Sequence, residues 1–322
     1  MSALSRRRFM ALSTTTLALL GACKGQPSSL QPKRESIAQQ NQTTNQFTRS
    51  RAATPTRIVA LEWVYVEALL ALGIQPVGVA DIRGYQKFVN IQPQLAKQVV
   101  EVGTRPEPSL ETIAQLEPDL ILGAAFRHQA ILDTLQAIAP TQLFNPYPEP
   151  DQGNQLVEME QTFRQIAAAV DRTEQGETVL QTMRAKFSRA KQALQTANQL
   201  DRPFVLGQFL EGAPQLRLFT ENALAAQVLL ALGLKNAWSG KLDPFGFNTV
   251  WLEALPAIEQ AQFLYVAQPG DASFQQLQRN PVWQGLNFVQ QNRFFALGSD
   301  TWLFGGSLSA QLLSETVVNA LT

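Results

Sequence analysis

A six-residue sequence occurs twice in this chain, and its surroundings repeat with it. LLALGI stands at residues 69–74 and LLALGL at 229–234. The apolar, β-branched run RIVAL (57–61) comes before the first copy and predicts a buried strand, and the helical spacing that follows ends at Gly73, a typical residue after a helix. RLFTENALAAQVLLALGLKNAW (217–238) repeats the order of strand, helix and glycine.

The flanking segments extend this repeat. PVGVA (76–80) predicts a second strand, so the first copy is a βαβ unit with parallel strands. SLETIAQLEPDLILGA (109–124) predicts a short helix, a break at a proline and a buried strand, and WLEALPAIEQAQFLYVA (251–267) repeats that order. We therefore predict an α/β protein of two Rossmann-like lobes, each with a central, mostly parallel sheet.

One long helix is predicted to join the two lobes. NQLVEMEQTFRQIAAAVDR (154–172) has helical spacing and no internal glycine or proline. The predicted domains are a first lobe over 57–152, a linking helix over 153–172 and a second lobe over 173–322. Because a continuous helix is stiff, we expect no large closure of the lobes.

Composition excludes several classes of function. The chain has 322 residues, a formal net charge of +0, one cysteine and one histidine. It therefore has no basic field for nucleic acid, no internal disulfide and too few Cys and His residues for a zinc site. It also lacks the G-x-S-x-G, P-loop and G-x-G-x-x-G motifs, which makes an enzyme the least favoured alternative.

The N-terminal residues predict export and a lipid anchor. A basic segment and a short apolar run form a predicted signal peptide over 1–22, and LGAC places Cys23 as a lipidated residue. SRRRFM is similar to a twin-arginine motif, but Ala11 stands where that pattern often has lysine, so ordinary Sec export stays open. Residues 23–56 are polar and predict a disordered tether.

The lobes, the linking helix and the predicted anchor together resemble the periplasmic binding proteins of the helical-backbone class. RIVALEW, VVEVGTRPEPSLETI, NPVWQGLNFVQQNRFFAL and WLFGGSLSA narrow this to a resemblance to ferric hydroxamate (ferrichrome-type) binding proteins. The resemblance implies an extracytoplasmic, lipid-anchored monomer that captures an iron(III)-siderophore of hydroxamate or citrate-hydroxamate type. It would deliver this ligand to the permease dimer of an ABC importer, which works with an ATPase. Cobalamin or haem is the alternative ligand.

The predicted ligand site is the crevice beyond the carboxyl ends of the strands, where open α/β sheets bind ligands. The siderophore would hold the iron itself, so we expect no cofactor and no metal ligand from the protein. By the resemblance, Arg105 bonds the hydroxamate oxygens and Trp302 is a pocket aromatic. Phe126, Phe245 and Phe304 match positions where the enterobacterial protein has Tyr, Trp and Tyr.

Other residues near the predicted strand ends are weaker candidates. The aromatic side chains could pack or touch the ligand, and the cationic ones could suit an anionic ligand or be solvated loop charges. The aromatic candidates are Trp63, Tyr85 and Phe88, and the cationic candidates are Arg83, Arg127 and His128.

Two acidic residues occupy equivalent places in the repeat. Glu111 follows Leu110, and Glu253 follows Leu252 in the second copy. In the family that this chain resembles, one acidic residue in each lobe meets arginine pockets of the permease. A carboxylate in a first helical turn could instead only complement the helix dipole.

Overall fold

The structure is a computed structural model, and it describes residues 54–200 and 202–322. The predicted signal peptide, Cys23 and most of the predicted tether lie outside the described residues. Within the described part of the chain, no helix is long and apolar enough to cross a membrane.

The first sheet has five strands, all parallel, in the order β3-β2-β1-β4-β5. As predicted, RIVAL supplies a fully buried strand, and the helix after it ends before Gly73, whose φ of 72° is left-handed. The elements are β1 (Ile58–Ala60), α1 (Trp63–Ala71), β2 (Gly78–Val79), α2 (Ile82–Phe88), β3 (Val100–Glu101), α3 (Leu110–Gln115), β4 (Leu120–Ala124), α4 (Ala125–His128), a 3₁₀ turn (Gln129–Ile131), α5 (Leu132–Ile138) and β5 (Thr141–Phe144).

Two helices follow the first sheet. The predicted linking segment contains α6 (Gln155–Ala169), which Asn154 caps by accepting bonds from the N–H groups of Leu156 and Val157. After a short turn comes the longer α7 (Thr173–Thr196). Both helices are amphipathic and bury one face against the lobes.

The second sheet also has five strands, in the order β10-β9-β6-β7-β8. Its elements are β6 (Phe204–Phe209), β7 (Leu216–Phe219), α8 (Leu224–Ala231), β8 (Phe247–Val250), a 3₁₀ helix (Leu252–Ile258), β9 (Gln262–Val266), α9 (Ala272–Gln278), α10 (Pro281–Gly285), α11 (Asn287–Gln290), β10 (Phe294–Ala296) and α12 (Ser307–Leu321).

The predicted two-lobe α/β fold is confirmed, but the repeat is not complete. Strands β6, β9 and β10 are parallel, whereas β7 is antiparallel to both β6 and β8. In the second copy of the repeat, the strand before the helix is therefore the hairpin strand β7. In the first copy it is the central strand β1. Gly233, with a φ of 87°, ends α8 as Gly73 ends α1.

The core runs without a break through both lobes. Buried side chains of α1, α6, α7, α8 and α12 form one apolar cluster, which includes Leu69, Ile166, Leu180, Leu229 and Leu313. Glu67 of α1 is fully buried, and its carboxylate accepts bonds from the N–H and the hydroxyl of Ser309 on α12, both at 2.7 Å. Burial raises the pKa of Glu67, while these bonds lower it. The expectation that the lobes do not close by a large movement stays a prediction.

Candidate ligand-binding cleft

A cleft of about 310 Å³ lies between side chains of the two lobes, within the range of roughly 300–1,000 Å³ typical of small-molecule sites. Its lining combines aromatic rings with guanidinium groups. The lining residues are Arg105, Arg127, Tyr147, Arg217, Phe245, Phe247, Trp302 and Phe304. We call this the aromatic cleft.

The first lobe presents two arginines that share one carboxylate. Glu62 follows β1, Arg105 follows β3, and Arg127 follows β4, so the parallel sheet brings all three to one edge. Glu62 is buried, and its carboxylate lies 3.4 Å from Nη1 of Arg105 and 2.5 Å from Nε of Arg127. Nε of Arg105 is also 3.8 Å from the carboxylate of Asp81. These contacts hold both guanidiniums at the cleft and compensate much of their charge.

His128 fixes the loop that carries Arg105. Its Nδ1 accepts a bond from the Ala124 N–H at 3.0 Å, so Nε2 carries the proton and donates to the carbonyl of Arg105 at 2.8 Å. The side chain is fully buried, and burial lowers its pKa. His128 is therefore a neutral, buried structural residue, and both interpretations that the sequence left open for it, a cationic donor to the ligand and a solvated loop charge, are wrong.

The weaker aromatic candidates lie behind the cleft. Trp63 and Tyr85 are each 3% exposed, too buried for ligand contact in this structure. Trp63 instead supports Arg105, whose guanidinium carbon lies 3.7 Å from the centre of its ring. Phe88 stacks on Trp63, and Trp302 packs edge-on against Trp63 with 5.0 Å between the ring centres. The three weaker candidates thus form the back wall that positions Arg105 and Trp302.

The second lobe contributes a third arginine, which sequence analysis missed. Arg217 lies on β7 between Leu216 and Leu218, whose side chains are buried on the other face of the sheet. Its guanidinium carbon lies 4.5 Å from the ring centre of Phe247, and its Nη1 donates to Oε1 of Gln208 at 3.1 Å. A single charge in an otherwise apolar strand was the signal that could have identified it.

Three aromatic rings meet at one side of the cleft. Phe126 follows β4, Tyr147 follows β5, and Phe245 precedes β8, with ring centres 5.1 to 6.1 Å apart. Phe245 lies before a strand and not after one, although β8 runs in the same direction as β6. Tyr147 was also missed, since β5 was not predicted. Burial raises its pKa to about 12, so its hydroxyl keeps its proton at neutral pH.

Two donors of the second lobe at the cleft have no hydrogen-bond acceptor among the described residues. They are Nε1 of Trp302 and Nε of Arg217, and both atoms are buried. Unpaired buried donors are costly, and those facing a cleft are commonly satisfied by a ligand or by water. The described residues contain no group of three or more His, Cys, Asp or Glu that could hold a metal ion.

The remaining predicted site residues lie elsewhere. Arg83 is exposed on α2 and is not among the residues that line the cleft. Glu111 is exposed in the first turn of α3, and Glu253 is exposed in the first turn of the 3₁₀ helix before β9. The two acidic residues do occupy equivalent places, because β4 and β9 each pair with the central strand of their sheet.

Comparison with known proteins decides the family. A model of the family described as periplasmic binding protein matches residues 58–301. The chain belongs to this family. This binding protein is 31% identical over 274 residues to the iron(3+)-hydroxamate-binding protein FhuD of Escherichia coli (strain K12), covering 84% of this chain and 88% of FhuD. It is also 31% identical to the Fe(3+) dicitrate-binding periplasmic protein FecB of the same organism, over 77% of this chain and 79% of FecB.

A solved structure extends the likeness to the fold of this binding protein. The crystal structure of the siderophore-binding protein FhuD from Vibrio cholerae, bound to Fe3+–Desferal, superimposes with a TM-score of 0.76 at 32% identity. The match covers 83% of this chain and 97% of that one.

Proposed function

We propose that this protein is the substrate-binding component of an ABC importer and that it captures an iron(III)-siderophore of hydroxamate or citrate-hydroxamate type. The observation that carries the proposal is the aromatic cleft, where two buried donors of the second lobe, on Trp302 and Arg217, have no hydrogen-bond acceptor among the described residues. The relatives are named for iron(III) complexes of hydroxamate and citrate, which favours a siderophore over cobalamin or haem.

The chemistry of the cleft suits a complex whose iron is already coordinated. A siderophore surrounds iron(III) with its own oxygens, so the protein needs flat apolar walls and a few cationic donors to those oxygens. Trp302, Phe304 and Phe247 supply the walls, and Arg105 and Arg127 supply donors that Glu62 holds in place. In this proposal iron is the cargo, and no protein side chain coordinates it.

Delivery to the membrane is the second part of the proposal. Glu111 and Glu253 are exposed, one in each lobe, and have no cationic partner within 4 Å among the described residues. They are free to meet positive pockets on the two permease subunits. Lipidation at Cys23 would hold the protein on the outer side of the cytoplasmic membrane or on another extracytoplasmic membrane surface.

A fluorescence titration tests the ligand assignment. Trp302 lines the cleft, so a ferric hydroxamate or a ferric citrate-dihydroxamate should quench its emission at micromolar concentration or below. The iron-free siderophores are the ligand controls, and Trp302→Phe identifies the responding residue. Saturable quenching by cobalamin or haem together with failure of every ferric siderophore would disprove the assignment.

A further inference from the structure

The charges at the cleft are unevenly compensated between the lobes. Arg105 and Arg127 share Glu62, and Arg105 also lies near Asp81. Arg217 has no carboxylate within 4 Å among the residues that the structure describes, and its only side-chain hydrogen bond there is to the neutral amide of Gln208. The second lobe therefore brings one uncompensated positive charge to the cleft.

The surroundings of Arg217 hold its guanidinium at the cleft and partly remove it from water, which is energetically unfavourable. The rings of Phe247 and Phe304 lie 4.5 and 5.8 Å from its guanidinium carbon, and its Nε is buried without an acceptor. Partial desolvation lowers the pKa of Arg217, and the opposing effect comes from the phenol of Tyr147 and not from a carboxylate. A cation that is partly removed from water without an anion is unfavourable, so an anionic ligand would gain from this position.

Resting on the proposed function, we infer that Arg217 is a specificity-determining residue that binds a carboxylate which the iron leaves free on the siderophore. The preferred ligands are thus iron(III) complexes with net negative charge that carry a carboxylate which does not coordinate the iron. The planar guanidinium matches a carboxylate through two parallel hydrogen bonds, and Nη2 and the second N–H of Nη1 remain available because Gln208 accepts only one N–H of Nη1. Iron-bound hydroxamate oxygens are weaker acceptors and are already served from the first lobe by Arg105.

A ligand pair that differs only in one charged group tests this inference. Acetylation of the free amine of Desferal gives a neutral ferric complex, and succinylation gives one with a carboxylate and a charge of −1, with the iron centre unchanged. The wild-type protein should bind the succinyl complex about 10- to 150-fold more tightly, the effect of one charge-assisted hydrogen bond. Arg217→Gln should remove this preference, so that the variant binds the two complexes with affinities that differ by less than about twofold.

Two further variants separate the role of Arg217 from folding and from net charge. Arg217→Lys keeps the charge but loses the planar fork, so it should retain part of the preference. Arg279→Gln removes an exposed arginine of the same lobe that does not line the cleft, and it should retain the whole preference. Thermal melts of the purified proteins show whether each variant is folded.

The outcomes distinguish this inference from the proposed function. Equal affinity of the wild-type protein for the two complexes, or an undiminished preference in folded Arg217→Gln, would overturn the role of Arg217 and leave siderophore binding intact. If neither complex binds and a ferric citrate-dihydroxamate also fails, the proposed function itself is wrong.

Discussion

The two lobes share one sheet order and differ in the direction of one strand. Counted from β3 in the first lobe and from β8 in the second, the strands correspond one by one, but β7 runs against its neighbours. In the first lobe every strand ends at the same edge, which gathers Glu62, Arg105 and Arg127 into one paired cluster. In the second lobe Arg217 reaches the cleft from within a strand and is not paired. The first lobe therefore pairs its own charges, whereas the second presents one cation that has no carboxylate partner among the described residues.

The sharpest test of the likeness between the lobes concerns Glu111 and Glu253. We expect Glu111→Lys or Glu253→Lys to reduce siderophore-dependent iron uptake, and the double variant to reduce it roughly a hundredfold or more, since like charges at an interface cost several kcal/mol. Affinity for the ligand in solution should not change. Uptake in cells and fluorescence titration of the purified variants measure the two effects separately.

A matched control distinguishes docking from a dipole effect. Glu174 is also an exposed carboxylate in the first turn of a helix, α7, but it lies outside the repeat. Glu174→Lys should leave uptake unchanged. Normal uptake in the double variant would mean that Glu111 and Glu253 only complement helix dipoles.

The next test compares two arginines of the first lobe. Arg105→Ala should weaken binding about 10- to 150-fold, because it removes a charge-assisted hydrogen bond of roughly 1.5–3 kcal/mol. Arg83→Ala should change binding by less than about twofold, since Arg83 is exposed and does not line the cleft. Isothermal titration with a ferric hydroxamate measures both variants, and equal losses would remove the distinction between these positions.

Glu62 tests whether the paired cluster stabilises the first lobe. Glu62→Gln leaves Arg127 without an anion and Arg105 with only the more distant Asp81, and we expect a loss of about 2 kcal/mol in the free energy of unfolding. This is less than for a fully buried pair, because the side chains of Arg105 and Arg127 are 23% and 29% exposed. Urea denaturation gives the value.

The joint between the lobes offers the control for this variant. Glu160 also contacts two arginines, Arg164 and Arg184, but their side chains are 37% and 51% exposed. Glu160→Gln should cost less than about 1 kcal/mol. An equal loss from the two variants would show that burial of the Glu62 cluster has no special effect.

The smallest expected effect is a pH dependence from His128. Burial lowers its pKa in the folded protein, while the unfolded chain takes up the proton near the usual value of about 6.5. At a pH between the pKa of the folded state and that of the unfolded state, the unfolded state binds more protons. The free energy of unfolding should therefore fall as the pH drops below about 6.5. The chain has one histidine, so a single imidazole resonance reports the titration. A midpoint at or above 6.5 would contradict the neutral, buried role.

The sequence predicted the fold better than the site. The repeat predicted α1 and α8 and the glycine at which each helix ends, because the spacing of apolar residues and the backbone preference of glycine can be read from neighbouring residues. It did not show the β6–β7 hairpin, since strand direction depends on pairing between distant residues. Resemblance identified Arg105, Trp302 and Phe304, which the cleft brings together. Tyr147 and Arg217 were missed, because only the folded sheets bring them to the same surface.

A crystal structure of the protein with a bound ferric siderophore, with the iron located by anomalous scattering, tests the central claim most directly. We predict one iron peak in the aromatic cleft, with siderophore oxygens as its only ligands, the guanidinium of Arg105 bonded to those oxygens, and the ring of Trp302 against the complex. An iron peak outside the cleft, or iron coordinated by a protein side chain, would contradict the binding mode proposed for this protein.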